Sequence, residues 1–297
     1  MKYRLTDEKK DFNGRTIHRI ICVTAFDGVE EGELGGWIEK EGNLSQSGNA
    51  WVSGNAKVCC DAFVSGNAKV SNNALVSGCA EVCANACVEG DAVVCYNAYV
   101  GGNACVKGNA LVNDYAQISG HAEIGDYAQI GSYARVSSKA RIWGNGYVNG
   151  HAWVGGNCVV SNNAIIRGHA YVAGYAEVFD NAQICDRARI TGYARITDNA
   201  WVGGSAEVFG NARIGGHARV YKNTDFIVFK NHFSSGRYFT WTRSDDMWSV
   251  GCFRGTGYEL IVKAYQDNEA KGRFYEAYVD FVQRLEIIEE EMEKSLQ

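Results

Sequence analysis

The sequence predicts a mainly β protein: a long prism of short strands and tight corners, closed at each end by a cap. Three observations carry that expectation. A six-residue unit recurs without insertion or deletion from Ser47 to Val220, which makes 29 consecutive hexads. Its sixth position is Val or Ile throughout, and its fourth is Ala in all but two units, where Gly146 and Cys158 stand instead. The chain contains no proline, as suits one continuous hydrogen-bonded architecture.

The hexad columns dictate the local structure. Alternate side chains of a strand face one side, so positions four and six point inward together and positions five and one point outward. Positions two and three must then turn the chain. Position two is Gly in 17 units and Asn or Asp in seven, the residues that tolerate positive φ. Small Ala fits beside the corner, and branched Val or Ile fills the axis.

An aliphatic residue followed four places later by a small one, as in Val52 and Ala56, resembles the hexapeptide-repeat superfamily. The resemblance covers 174 of the 297 residues. It implies a left-handed parallel β-helix, triangular in section, with three hexads per coil and hence about ten coils. The left hand rests on this resemblance, because the general rule for β-crossovers would give the right hand. A strand spacing of roughly 4.8 Å makes the prism about 45 Å long.

The terminal coils of such a stack need caps. Residues 1–46 read as a β-rich N-terminal cap: YRL and TIHRIICVTAF as strands, Asn13-Gly14 as their turn, and ELGGWIEKEGNL as the lead-in, with Trp37 as plug. Residues 47–220 are the β-helix. Residues 221–297 read as an α+β C-terminal cap. In it DFIVFK is a strand, and RYFTWTRSDDMWSVGCF is a hairpin turning at Ser244-Asp245-Asp246. Thr256 and Glu259 have capping-box spacing before the helix ELIVKAY. A second helix is expected after Gly272, with Phe274, Tyr278, Val282, Leu285, Ile288 and Met292 on one face and a solvated acidic tail. The GGWIEKEGNLS and TWTRSDDMWSVGCF segments resemble hexapeptide-repeat proteins carried in phage and prophage genomes of gut bacteria, some of them called polymer-forming cytoskeletal proteins.

Composition narrows the function. Net charge is −5, and the hexads carry as many acidic as basic residues, which argues against nucleic acid as partner. No run approaches the length of a membrane span, and the N-terminus has no apolar signal region. The 11 cysteines show no CxxC spacing and no Cys/His metal pattern. They read as reduced small fillers in a cytoplasmic protein, and no metal or cofactor is expected.

A side chain stacks on the one 18 residues later, so surface columns can be read. Asn55, Asn73, Asp91, Asn109, Tyr127, Asn145, Asn163, Asn181 and Asn199 form a corner column suited to hydrogen-bonded ladders. Leu75, Val93, Leu111, Tyr147, Ile165 and Trp201 form an outward apolar stripe, the mark of an interface. A second copy of the chain or the protein's own C-terminal helices would cover it. A homo-oligomer, a trimer by resemblance to the superfamily, is the preferred reading.

The next corner carries Tyr115, Tyr133, His151, His169 and Arg187, beside the outward column Arg135, Trp153, Tyr171 and Arg189. Arginine suits carboxylate or phosphate, and the rings offer stacking surfaces. These nine residues are the candidate binding surface for a protein or a small anionic ligand. A plain surface ladder is the bland alternative.

Many hexapeptide-repeat proteins are trimeric acyltransferases with a histidine base at a subunit cleft. Here His121, His151, His169 and His217 occupy the third hexad position, no His-Asp pair occurs, and no loop interrupts the prism. A resemblance to γ-class carbonic anhydrases would need three of these histidines on one zinc; they sit on three different corners. The stretch Gly251–Gly257 opens a helix but lacks the P-loop lysine. No catalytic residue is assigned. The expectation is a non-enzymatic structural or binding protein that presents a rigid surface for a partner, a ligand or self-assembly. A trimeric acyltransferase using acetyl-CoA is the first alternative, and a phage-encoded binder of a host nucleotide or protein the second.

Overall fold

The computed structural model describes residues 1–233 and 236–295; four positions of the 221–297 cap (234, 235, 296 and 297) lie outside the described residues. The N-terminal strands β1 (Tyr3–Phe12) and β2 (Arg15–Cys22) pair antiparallel around Asn13-Gly14, and β3 (Leu34–Ile38) leads into the prism. Strands β4 to β32 follow, two residues each, from Trp51–Val52 to Arg219–Val220. Every third strand pairs in parallel, so the 29 hexads make about ten coils with three flat faces. The first face carries the outward column Lys57 to Arg219, the second Phe63 to Glu207, and the third Trp51 to Arg213.

The hexad chemistry acts as expected. Positions four and six are buried in every coil and form one continuous core from Ala50 to Val220. Each buried Val or Ile contributes about 1.5–3 kcal/mol relative to exposure. Position two has positive φ in all 29 units, whatever the residue. At Gly120 close approach adds a second reason for glycine: a Cβ would lie 2.7 Å from the backbone nitrogen of Ser138, one coil on.

Ala84 holds the same conformation, with φ of 57° and no side-chain compensation. An L-residue other than Gly, Asn or Asp is strained in this region. Ala84→Gly is therefore expected to stabilise the protein by about 1 kcal/mol, read as a higher urea midpoint at unchanged slope.

Both ends are capped with matched hydrogen-bond polarity. The N–H groups of each outward strand residue and of the residue after the strand donate toward the C-terminal end, as Trp51 N–H does to Ala68 O and Ser53 N–H to Val70 O, so the matching acceptors are bare on the first coil and the matching donors on the last. At the first coil, Trp37 N–H donates to Ala56 O, Ser45 N–H to Val64 O, Asn43 Nδ2 to Ala62 O, and Lys2 Nζ to Ala50 O at 2.8 Å. Burial lowers the Lys2 pKa to about 8, so its ammonium still donates at neutral pH. At the last coil the three faces end on Glu207, Arg213 and Arg219. Their N–H groups donate to Asn223 Oδ1 (2.7 Å), Thr240 Oγ1 (2.9 Å) and Ser244 Oγ (2.6 Å). These are the groups that would otherwise template another chain.

Two expectations about the caps change. Trp37 does not plug the axis; it packs outside it with Ile17 and Cys59, under Lys10. Tyr3, Ile20, Ile38 and Leu44 close the axis instead, and Trp51, at an outward position, is covered by Phe26. Gly272 lies inside the second helix rather than before it.

The C-terminal cap has an antiparallel sheet of β33 (Phe226–Lys230), β34 (Tyr238–Thr242), β35 (Met247–Val250) and β36 (Phe253–Gly255). Helices α1 (Gly257–Asp267) and α2 (Glu269–Ser295) pack on it. The Thr256/Glu259 capping box opens α1. A Cβ on Gly272 would meet the Tyr265 ring, so close approach of the two helices explains this glycine. Helix α2 buries Tyr275, Val279 and Val282, while Ile288 and Met292 are exposed near its end.

Candidate functional site

The polar and aromatic residues singled out in the sequence lie on the second face and the corner before it. The corner column stacks on itself. Tyr115 and Tyr133 have ring centroids 5.0 Å apart, Tyr133 and His151 4.9 Å, and His151 and His169 4.9 Å, all within 5° of parallel. Strand pairing sets this spacing, because residues 18 apart stand one strand separation from each other. Arg187 continues the column one coil further on.

On the adjoining strands Trp153 stacks on Tyr171 at 4.6 Å, and the Arg189 guanidinium lies 5.0 Å from the Tyr171 ring centre. Arg135 pairs in register with Trp153. The two columns therefore run side by side, each stacked along the prism axis. Within the corner column the ring faces are taken up by neighbours. What it offers outward is ring edges, tyrosine hydroxyls and imidazole nitrogens. That is a hydrogen-bonding strip, not the open stacking platform the residue types alone suggest.

The asparagine column behaves as a ladder. Asn145 Nδ2 donates to Asn163 Oδ1 at 3.0 Å, Asn163 to Asn181 at 3.1 Å, and Asn181 to Asn199 at 3.3 Å. Another corner has its own run, Asn67 to Asn85 to Asn103. The apolar stripe lies on the first face, with Leu75, Val93, Leu111, Tyr147, Ile165 and Trp201 all half-buried. The C-terminal helices are engaged elsewhere: their buried side chains pack with Phe239, Trp241, Trp248 and Val250 of the cap sheet.

A concave site lies where the third face meets the C-terminal cap. A cavity of about 330 Å³ is lined by Tyr175, Tyr193, Arg195, Arg213, Arg237 and Tyr238, among others. A second, of about 250 Å³, shares Arg195 and Arg213 and reaches Asp198 and Arg254. Tyr175 and Tyr193 stack at 5.0 Å. Arg195 pairs with Glu177 at 2.9 Å and lies over Phe179. Arg213 Nη1 donates to Gly251 O at 2.6 Å, and Arg254 is held by Asp245 at 2.6 Å.

Each guanidinium has five N–H donors in a fixed fork, so these contacts leave donors for an anion. The Gly251–Gly257 stretch borders this cleft through Arg254, while its helix N-terminus is closed by Glu259, which accepts from Thr256 N–H at 2.8 Å.

Sequence columns could have found half of this site. Tyr175/Tyr193 and Glu177/Arg195/Arg213 are spaced by 18 residues. Arg237 and Tyr238 could not be placed, because nothing in the repeat says where the cap folds back.

Comparison with known proteins points to the repeat. A family model described as the YdcK β-solenoid repeat matches residues 182–196. The chain is 36% identical over 59 residues to the protein named "Uncharacterized acetyltransferase YdcK" of Escherichia coli (strain K12). That match covers 17% of this chain and 18% of the relative.

Proposed function

We propose that the protein is a non-enzymatic binding scaffold. A rigid β-solenoid presents an anion-recognising cleft at its C-terminal end, flanked by a hydrogen-bonding strip along one corner. The observation that carries this reading is the convergence of Arg195, Arg213 and Arg237 with stacked tyrosines on one cavity. The cavity's volume is at the lower end for small-ligand sites, which favours a compact anion such as a phosphate ester. The Tyr115–His169 strip with Arg187 and Arg189 is the second contact surface, for the longer part of a ligand or for a protein. A reducing, cytoplasmic setting suits the eleven cysteines, and no helix among the described residues is long and apolar enough to cross a membrane.

Calorimetric titration with inorganic pyrophosphate tests the cleft. Saturable binding is expected, and Arg195→Gln is expected to weaken it by about 1.5–3 kcal/mol, roughly tenfold or more in Kd. Absence of binding, or unchanged binding in that variant, overturns the cleft as the site.

The relative's printed name favours a second reading, acyl transfer from acetyl-CoA. Neither cavity is lined by a histidine, and His151 and His169 are stacked in the corner column. Consumption of acetyl-CoA with an amine or hydroxyl acceptor would replace the scaffold reading by this one.

A further inference from the structure

Two cysteines on the third face stand directly over one another. Cys87 of β10 (Cys87–Val88) and Cys105 of β13 (Cys105–Val106) are register partners in adjacent parallel strands. Glu89 follows two residues after Cys87, on the same outward side. The two sulfurs and a Glu89 carboxylate oxygen lie within 4.8 Å of one another, and all three residues are half-buried.

We propose that Cys87, Cys105 and Glu89 form a binding site for a thiophilic divalent cation, of the Zn²⁺ or Cd²⁺ class, that staples two neighbouring coils together.

The donor set selects the ion. Thiolates favour Zn²⁺ and softer ions over Mg²⁺ or Ca²⁺. Two sulfurs and one carboxylate leave a fourth tetrahedral position for water. A tetrahedral ion with metal–sulfur bonds of about 2.3 Å holds its sulfurs about 3.8 Å apart. The donor atoms, all within 4.8 Å of one another, are compatible with that separation.

The surroundings permit it. Lys69 and Lys107 flank the site, but Lys69 pairs with Asp27 at 3.5 Å, and Lys107 turns to Glu123 at 4.0 Å and the Trp143 ring. Among the described residues Glu89 has no ion-pair partner. A second group, Glu39, Cys59 and Cys60, has similar compactness. There Glu39 is already paired with Arg15 at 2.9 Å and accepts from Cys60 N–H at 2.6 Å, and the guanidinium opposes a cation. Binding at the proposed site forms two metal–sulfur bonds and one metal–oxygen bond. Each thiol gives up its proton to solvent, and no electron is transferred.

The test is titration of reduced, metal-free protein with Cd²⁺, followed by the ultraviolet thiolate-to-metal charge-transfer band, with Zn²⁺ as competitor. One equivalent is expected to be lost in Cys87→Ser/Cys105→Ser and retained in Cys59→Ser/Cys60→Ser. Glu89→Gln is expected to weaken Zn²⁺ at least as much as the roughly tenfold that loss of an outer-shell partner costs. It leaves both cysteines in place, so it decides the matter even if the double variant folds poorly. Unchanged Zn²⁺ affinity in Glu89→Gln overturns the proposal, as does unchanged stoichiometry in a folded Cys87/Cys105 variant or a wild type that shows no thiolate band.

Discussion

Replacing Gly36 with valine is expected to lift the N-terminal cap from the prism. A Cβ on Gly36 would lie 2.7 Å from Val52 Cγ1 and 2.8 Å from the carbonyl oxygen of Ala56. Backbone on one side and a buried core side chain on the other leave no easy relaxation. Overpacking of this kind costs about 3 kcal/mol, at the upper end of the usual range. The cost falls on β3, whose pairing with β5 (Lys57–Val58) joins the cap to the first coil. Amide hydrogen exchange should show protection lost over residues 1–46 and kept in the central coils, because solenoid units contact mainly their neighbours. The bared acceptors of the first coil should then meet another molecule, so mass in solution should grow with concentration. Protection unchanged over residues 1–46 would show that the Gly36 backbone moves easily, and the close-packing argument would fail.

Replacing Leu111 with glutamate is expected to reduce the mass of the particle to that of one chain. Leu111 is stacked between Val93 and Gln129 in the middle of the apolar stripe. The self-assembly reading places this face against a second and third copy of the chain. A carboxylate there would be desolvated without a partner, and leaving one charge buried and unpaired costs about 3–5 kcal/mol. Light scattering should give a trimer for the wild type and a single chain of 32.5 kDa for the variant. The outward position predicts that the variant chain still folds, with its β circular dichroism intact. A wild type that is already monomeric would remove the assembly reading, and the stripe would then be an ordinary ladder of same-face contacts.

The repeat was the most legible part of the chain because its constraint is local. Each hexad must place an Ala and a Val or Ile inward and turn within two residues, and that requirement marks every unit alike. The Asn145–Asn163–Asn181–Asn199 ladder and the Tyr115–Tyr133–His151–His169 stack followed by counting 18 residues along the chain. Even so, the sequence column overstated what the rings offer. The spacing that aligns them also occupies their faces, and only the folded stack decides which part of each ring is left outward. The five position-two residues that are neither Gly, Asn nor Asp, Ala84 and Tyr96 among them, adopt positive φ with the rest. There the stacked coils override local preference.

The repeat by itself therefore determined the prism, its core and its surface columns, since a periodic pattern states its own geometry. The tertiary structure decided the ends and the sites between elements. Trp37 could have faced the axis or the flank, and the choice depends on how β1 and β2 cross the first coil. Lys2, Asn43, Asn223, Thr240 and Ser244 cap the open edges from positions that share no motif. The cleft needs Arg237 and Tyr238 brought against Arg195 and Arg213 by a cap outside the repeat. Such contacts join segments far apart in the chain, so no local pattern records them; they exist only once the chain has folded back on itself.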